Sequence, residues 1–355
     1  NLYGFSGGQW VGERSAPAGR CPLADRCWFF VCYVDDLRNE QLVSRTFMGI
    51  EVVAFRDERG RAAVLDATCP HLGAHMGRGG CVKNGSVECP FHRFRFGIDG
   101  KCNHVPGAEP PRHARTRSWP VHEAEGLVMA YHAVNNPEPT WKIPEFGIEG
   151  WSQLAHHHFR IKGHPQETTE NCVDSAHLIT IHGYEDVEQV TAPAIEGAHL
   201  SGAYRMQRDS RFGPLGALGI KFEVDFQVDV WGLGHSTVQI RIPRLGLHIR
   251  LLTLSTPSDG EHIDLHVALR VKPLQKPGKL LPGLQLVPER WLTKLVLEFA
   301  KAAYCHDIRQ DFFIWENKQV LTRPNLARND GPVMQYRRYC QQFYPSSDRS
   351  GLAAE

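Results

Sequence analysis

The sequence predicts an α+β protein of two domains, an all-β domain followed by an antiparallel sheet with helices. Three observations predict it. Up to about residue 135, short apolar runs are broken by dense Gly and Pro, as in small β domains. Residues 220–230, 238–242 and 263–271 alternate apolar and polar side chains, the period of a half-buried strand. After Pro288 the apolar spacing becomes that of a helix. A length of 355 residues fits two domains of about 100–200 residues each.

The elements follow in order. Residues 28–34 (WFFVCYV) read as a buried strand. Ile50–Arg56 and Ala62–Asp66 flank Asp57-Glu58-Arg59-Gly60, a hairpin turn, so a small barrel or sandwich is expected here. Asn135-Asn136-Pro137-Glu138-Pro139 reads as a linker, which divides the chain into residues 20–135 and 136–355, with 1–19 expected to pack on the second part. Residues 159–162 form a strand and 168–182 carry helical content. In 220–230 the apolar set is Ile220, Phe222, Val224, Phe226, Val228 and Val230; residues 251–254 are a less regular run. Leu292, Leu295, Val296 and Phe299 are the expected apolar stripe of the late helix. The adjacent His156, His157 and His158 would alternate between faces of a strand and are read as surface residues.

Composition excludes several classes of function. Hydrophobic residues make up 42% and charged residues 22%, ordinary globular usage. Lys and Arg number 40 against 39 Asp and Glu, so no charge excess is available to hold nucleic acid. Ten cysteines are too sparse for a disulfide scaffold and point to a reducing, cytoplasmic interior. No apolar run reaches the roughly 18–20 residues of a membrane helix. The sequence starts at Asn1 without Met, so membrane association is expected if an upstream segment has been removed.

The strongest motif is Cys69-Pro70-His71, then 17 residues, then Cys89-Pro90-Phe91-His92. Each half supplies one thiolate and one imidazole from a Gly/Pro-rich loop. A [2Fe–2S] cluster with two Cys on one iron and two His on the other takes such a set. A structural zinc site usually pairs Cys with Cys and His with His, whereas here each half is mixed. His75 is read as a surface or supporting histidine.

The second motif runs from Glu170 to His182. Asp174 and His177 are three apart and share a face on a helix. His177 and His182 are five apart, about 140° off one face, so both reach one metal only if the helix is widened or ends between them. Gly183 is the candidate stop. Two His with a distant carboxylate make the facial triad of non-haem Fe(II) oxygenases. The late helix offers Asp307 and Asp311, four apart on one stripe.

With both motifs on one chain, the sequence resembles the α subunit of a Rieske non-haem iron oxygenase from Trp28 to Tyr344. Ala74 and Phe91 stand where quinol-oxidising Rieske proteins carry an extra disulfide. The run His164-Pro165-Gln166-Glu167 through Asp174, His177, His182 and Tyr184 is similar to the 3-ketosteroid 9α-hydroxylase and cholesterol 7-desaturase branch. So is the tail, Gln310-Asp311-Phe312-Phe313-Ile314-Trp315, then Arg337-Arg338 and Gln342-Phe343-Tyr344.

The resemblance implies a Rieske domain over residues 20–135 and a helix-grip-like catalytic domain over 136–355. It implies Cys69, His71, Cys89 and His92 as ligands of the [2Fe–2S] cluster, and His177, His182 and Asp311 as ligands of mononuclear Fe(II). Asp307 becomes a helix-surface or supporting acid, and Asn171 lies near the iron without binding it. Asp174 becomes the carboxylate joining His92 of one subunit to His177 of the next in a homotrimer; residue by residue, its competing role is a helix cap.

The expected activity is O2-dependent hydroxylation, desaturation or demethylation of an apolar, steroid- or sterol-like substrate. A small aromatic or other hydrophobic ring is the alternative substrate, and a pure electron-transfer Rieske protein or a zinc-stabilised scaffold the non-enzyme alternatives. No G-x-G-x-x-G follows a strand, since Gly77-Arg78-Gly79-Gly80 lies between the cluster loops. Electrons must therefore come from a separate NAD(P)H-dependent reductase, a ferredoxin, or both. Arg78, Lys83, Arg93 and Arg95 are candidate docking charges for that acidic partner.

Overall fold

The structure, a computed structural model, describes residues 5–6, 9–10, 24–134, 138–209, 221–319, 321, 323–327 and 330–345. Residues 1–19, expected to pack on the catalytic domain, otherwise lie outside the described residues, as do 135–137 of the linker. The chain divides into two units, and the first is Asp25–Gly147 with Thr256–Gly260.

In the first unit, Cys27–Tyr33 is buried along its whole length, as a run without alternation requires. It edges a three-stranded sheet in which Leu127–His132 is central and Val121–Ala124 the other edge. Ile50–Arg56 and Ala62–Asp66 pair antiparallel across the Asp57–Gly60 turn, inside a four-stranded sheet with Val43–Phe47 and Ser118–Trp119. A second four-stranded sheet orders Cys102–His104, Arg95–Phe96, Ser86–Glu88 and Cys81–Lys83. Val53, Phe55, Leu65, Met76, Val87 and Phe96 form the core under these sheets, and Cys69 and Cys89 belong to the same cluster.

The second unit comprises Ile148–Ser255 and the described residues from Glu261 onward. Its sheet has seven strands: β1 (Ala155–Lys162), β2 (Glu185–Glu196), β3 (His199–Asp209), β4 (Lys221–Trp231), β5 (His235–Ile242), β6 (Leu247–Pro257) and β7 (His262–Val271). Their order is β1-β7-β6-β5-β4-β3-β2. Two short helices, α1 (Pro165–Glu170) and α2 (Ser175–Thr180), fill the connection from β1 to β2. The long helix α3 (Glu289–Asn317) packs on β1 and β7, and α4 (Val333–Cys340) follows it.

Register turns the period-two sequence into a wall. Tyr204, Phe226, Ile240 and Ile249 lie opposite one another across β3, β4, β5 and β6, and Met206 faces Val224 in the next row. Helix α3 departs from the expected stripe. Leu292 is buried, but Leu295 is 63% exposed and Phe299 37% exposed. The buried face carries Leu297 and Ala300, then Ile308, Asp311 and Trp315, spaced by three or four within each group. Apolar spacing marks a face without saying whether sheet, cavity or solvent lies against it. His156, His157 and His158 on β1 are exposed, as expected.

Candidate active site

The two Cys/His loops are near copies. Cys69 N–H donates to Ala74 O (2.8 Å) and Gly73 N–H to Cys69 O (2.9 Å). Cys89 N–H donates to Phe94 O (2.9 Å) and Arg93 N–H to Cys89 O (3.0 Å). Closing each loop needs a left-handed residue, Gly73 at φ +78° and Arg93 at φ +58°. Both cysteines are 2% exposed, while His71 and His92 stand exposed at the tips with ring centroids 4.8 Å apart. His71 stacks on Phe94 at 4.2 Å. Burial pushes the Cys69 thiol up to about 11. Two buried sulfurs beneath two exposed imidazoles, one of each per loop, suit a two-iron cluster with unlike ends.

The surroundings of these loops answer two expectations. His75 is half-buried, with Nε2 3.3 Å from Glu51 Oε2 and Nδ1 accepting from Gly77 N–H, which makes it a supporting residue. Arg95 is no docking charge, because Glu88 holds it at 2.6 Å and both side chains are largely buried. Arg78, Lys83 and Arg93 are exposed.

The second site forms where α2 meets α3. Helix α2 ends between His177 and His182, and Gly183 turns the chain at φ +66°, so the five-residue spacing no longer separates the two rings. Their centroids are 4.5 Å apart, nearly perpendicular. His177 Nε2 lies 2.9 Å from Asp311 Oδ1, and His182 Nε2 lies 3.5 Å from Asp311 Oδ2. One donor atom from each of the three residues falls within 4.8 Å of the others, enough to hold a metal ion. Asp307, the other candidate acid, points elsewhere and accepts from Arg208 at 2.9 Å.

Of the supports of this triad, Asn171 and Asp174 are expected from the sequence and Gln310 is not. Gln310 Oε1 accepts from His182 Nδ1–H at 3.0 Å, which fixes the ring with Nε2 on the side of Asp311. Asn171 Nδ2 lies 3.2 Å from His177 Nε2. Burial works against a charged His182, but Asp311, Gln310 and Asp307 outweigh it and raise its pKa. Burial likewise opposes the Asp311 carboxylate, yet its two histidine partners hold it below the usual carboxylate range. Asp174 sits at the N-cap of α2, its Oδ1 accepting from His177 N–H at 3.0 Å. His177 Nδ1 is buried with no partner among the described residues.

Helix α1, although rich in acids, is buried throughout. Arg337 of α4 grips Glu170 through two nitrogens, at 2.8 and 3.0 Å. Lys318 Nζ lies 2.7 Å from both Glu167 and Glu170. Burial disfavours the Glu170 carboxylate, but Arg337 and Lys318 prevail and lower its pKa. Tyr336 and Tyr344 add hydrogen bonds to Gln166 at 2.9 and 2.6 Å. The C-terminal residues thus pin α1, which carries Asn171 to the triad.

The triad opens into a cavity of about 330 Å³. Its walls are mostly aliphatic and aromatic, contributed by Phe222, Val224 and Phe226 of β4, Ile240 of β5, Ile249 of β6 and Val296 of α3. Among the described residues Arg208 is the Lys or Arg that lines it, and it is paired with Asp307 and with the Tyr184 hydroxyl at 2.8 Å. Burial pushes the Tyr184 phenol up to about 12.

Comparison with known proteins decides the family. The pattern of the Rieske [2Fe-2S] domain matches residues 27–124, and that of the 3-ketosteroid 9alpha-hydroxylase C-terminal domain matches residues 130–344, more than half of the chain. The chain belongs to the 3-ketosteroid 9α-hydroxylase C-terminal domain family. It is an oxidoreductase, a Rieske oxygenase component. The cholesterol 7-desaturase nvd 1 of Ciona intestinalis is 29% identical over 363 residues, covering 94% of this chain and 72% of its own. A 3-ketosteroid-9-alpha-monooxygenase oxygenase component of Rhodococcus rhodochrous is 29% identical, covering 90% of this chain and 81% of its own.

Solved Rieske oxygenases share the fold. Dicamba monooxygenase bound to dicamba superposes with a TM-score of 0.64 at 17% identity, covering 91% of this chain and 98% of that one. NdmA of Pseudomonas putida CBB5 with caffeine gives 0.68 at 15% identity, covering 92% and 94%. Of the sequence-predicted residues, this oxygenase brings Cys69, Cys89, His71 and His92 together at one pair of loops, and His177, His182 and Asp311 at the other site. No helix among the described residues is long and apolar enough to cross a membrane.

Proposed function

We propose that this oxygenase hydroxylates or desaturates a neutral, apolar substrate of steroid or sterol size, using O2 and two electrons from a separate NAD(P)H-dependent reductase, a ferredoxin, or both. One observation carries the reading: a triad able to hold a metal ion opens into a largely apolar cavity whose Arg208 is already neutralised by Asp307. Among the described residues a carboxylate substrate finds no spare cation there, which favours a neutral ring system over an aromatic acid.

In this reading Cys69, Cys89, His71 and His92 hold the [2Fe–2S] cluster, and His177, His182 and Asp311 hold Fe(II). Residues 20–135 are the electron-transfer domain and 136–355, with 1–19, the catalytic domain. When bound, these centres supply single-electron transfer and O2 activation. Hydroxylation consumes one O2, two electrons and two protons, and yields one alcohol and one water; desaturation yields the alkene and two waters.

The chain's own residues do the rest. The apolar wall binds and orients the substrate and excludes water from the reacting bond. Gln310 fixes the His182 ring, and Asn171 borders the His177 nitrogen that faces Asp311. Asp174 is the bridging carboxylate of a homotrimer, its free lone pairs shared between His177 Nδ1 and the neighbouring subunit's cluster histidine. Two features support that role: His177 Nδ1, buried without a partner among the described residues, and the exposed cluster tip, where Leu72 and Phe91 are 64% and 60% exposed.

The test is a turnover screen of the metal-loaded chain with a surrogate reductase and ferredoxin. Neutral 3-ketosteroids and sterols should give substrate-dependent O2 uptake and an oxidised product by mass spectrometry. Uptake with benzoate-type acids and none with steroids would transfer the reading to the aromatic-ring alternative.

A further inference from the structure

The N-terminal part of α3 and the segment before it expose an apolar surface that the fold does not use. Leu286 is 84% exposed, Trp291 57% and Leu295 63%. Trp291, Leu295 and Phe299 are spaced by four and form one row along the helix. The outer end of that row faces solvent. Its inner end, Phe299, is 37% exposed and lines the cavity, as does Val296 beside it. Leu280 lines the cavity while its neighbour Leu281 is 48% exposed. The apolar lining therefore continues outward onto the surface without a polar break along this row.

The charge around the patch has one sign in excess. Between residues 274 and 299 lie Lys276, Lys279, Arg290 and Lys294, all exposed, against Glu289 and Glu298. Glu298 is itself engaged by Lys301 at 2.6 Å. An exposed Trp with aliphatic side chains inside a basic rim matches the interface of an anionic bilayer, where indole rings sit at headgroup depth and Lys and Arg meet lipid phosphates.

We propose that the face made by Leu286, Trp291 and Leu295 docks onto an anionic phospholipid surface, so that a lipid-dissolved substrate passes Phe299 into the cavity without crossing water. The purpose of this docking rests on the apolar-substrate reading above, but the surface is tested by lipid binding, with no turnover required.

The test is flotation of the full, cluster-loaded chain with phosphatidylcholine–phosphatidylserine vesicles and with phosphatidylcholine vesicles alone. The expected result is binding about tenfold or more tighter to the anionic vesicles, weakening as salt rises. Trp291→Ser with Leu295→Ser should lose about tenfold or more of that binding while keeping the visible spectrum and melting temperature of the parent. Leu286→Ser, in the turn before the helix, is the independent variant if the double variant fails to fold, and Lys279→Glu with Lys294→Glu should remove the anionic preference. A parent chain that does not float, or a double variant that binds as well as the parent, overturns the proposal. So does a patch variant that changes only the oligomeric state, which would assign the face to a second copy of the chain. Vesicle binding without steroid turnover would leave the docking surface standing and count against the substrate reading alone.

Discussion

His177 and Asp311, 134 positions apart in the chain, meet with 2.9 Å between Nε2 and Oδ1. One side chain comes from a six-residue helix and the other from the C-terminal third of a twenty-nine-residue helix. The carboxylate also reaches His182, so the two imidazoles converge on one acid. Asp307, one turn earlier on the same helix, is held by Arg208.

That geometry separates the two acids. Asp311→Ala should lose the mononuclear iron while the visible spectrum of the cluster stays. Asp307→Asn should retain both centres and loosen Arg208. Iron analysis beside visible absorbance reads the difference, and iron lost on Asp307→Asn but kept on Asp311→Ala would exchange their roles.

Asp174 offers a test free of folding effects. Asn caps a helix about as well as Asp, so Asp174→Asn should preserve α2 and both metal contents. Turnover should still fall, by about 10–100-fold or more, as expected when an outer partner of a metal-bound histidine is removed. Normal turnover would leave Asp174 a helix cap and nothing else.

The Glu170–Arg337 pair predicts a stability effect. Arg337→Met leaves a buried carboxylate with Lys318 alone, and removing one partner of a buried pair costs about 3–5 kcal/mol. The melting temperature should drop sharply, and less so in Arg337→Lys. An unchanged melting temperature would mean that α4 does not hold α1.

His235 sets a pH dependence. It is fully buried at the start of β5, and burial lowers its pKa from 6.5 to about 4. Above pH 6.5 neither folded nor unfolded chain protonates it. As pH falls from 6.5 towards 4, the unfolded chain takes up a proton that the folded chain refuses, and stability declines by about 1.4 kcal/mol per pH unit. Urea unfolding at several pH values should show this slope in the parent and a shallower one in His235→Gln. Equal slopes would exclude His235 as the cause.

What was legible in the sequence was local. Cys69 with His71, and Cys89 with His92, sit a few residues apart, so their motif survives as a string. The alternation of β4 announced its two faces, and Gly183 announced the end of α2 between the histidines. Distant pairings left no such trace. Arg337 and Glu170 are 167 positions apart, Arg208 and Asp307 are 99, and nothing in the periodicity of either segment names the other. Gln310 beside His182 became meaningful only once α3 lay against α2. The stripe of α3 departs from expectation at Leu295 and Phe299 for a related reason, since an apolar face turned to solvent, as at Leu295, or to a cavity, as at Phe299, has the same spacing as one turned to a core.

The most direct measurement is the iron and acid-labile sulfide content of the purified chain. Two centres on one polypeptide predict iron to sulfide in a ratio of about 3:2, with the visible and EPR signature of a Cys/His-ligated [2Fe–2S] cluster. A preparation holding zinc in place of iron, or one with no acid-labile sulfide, would contradict the account.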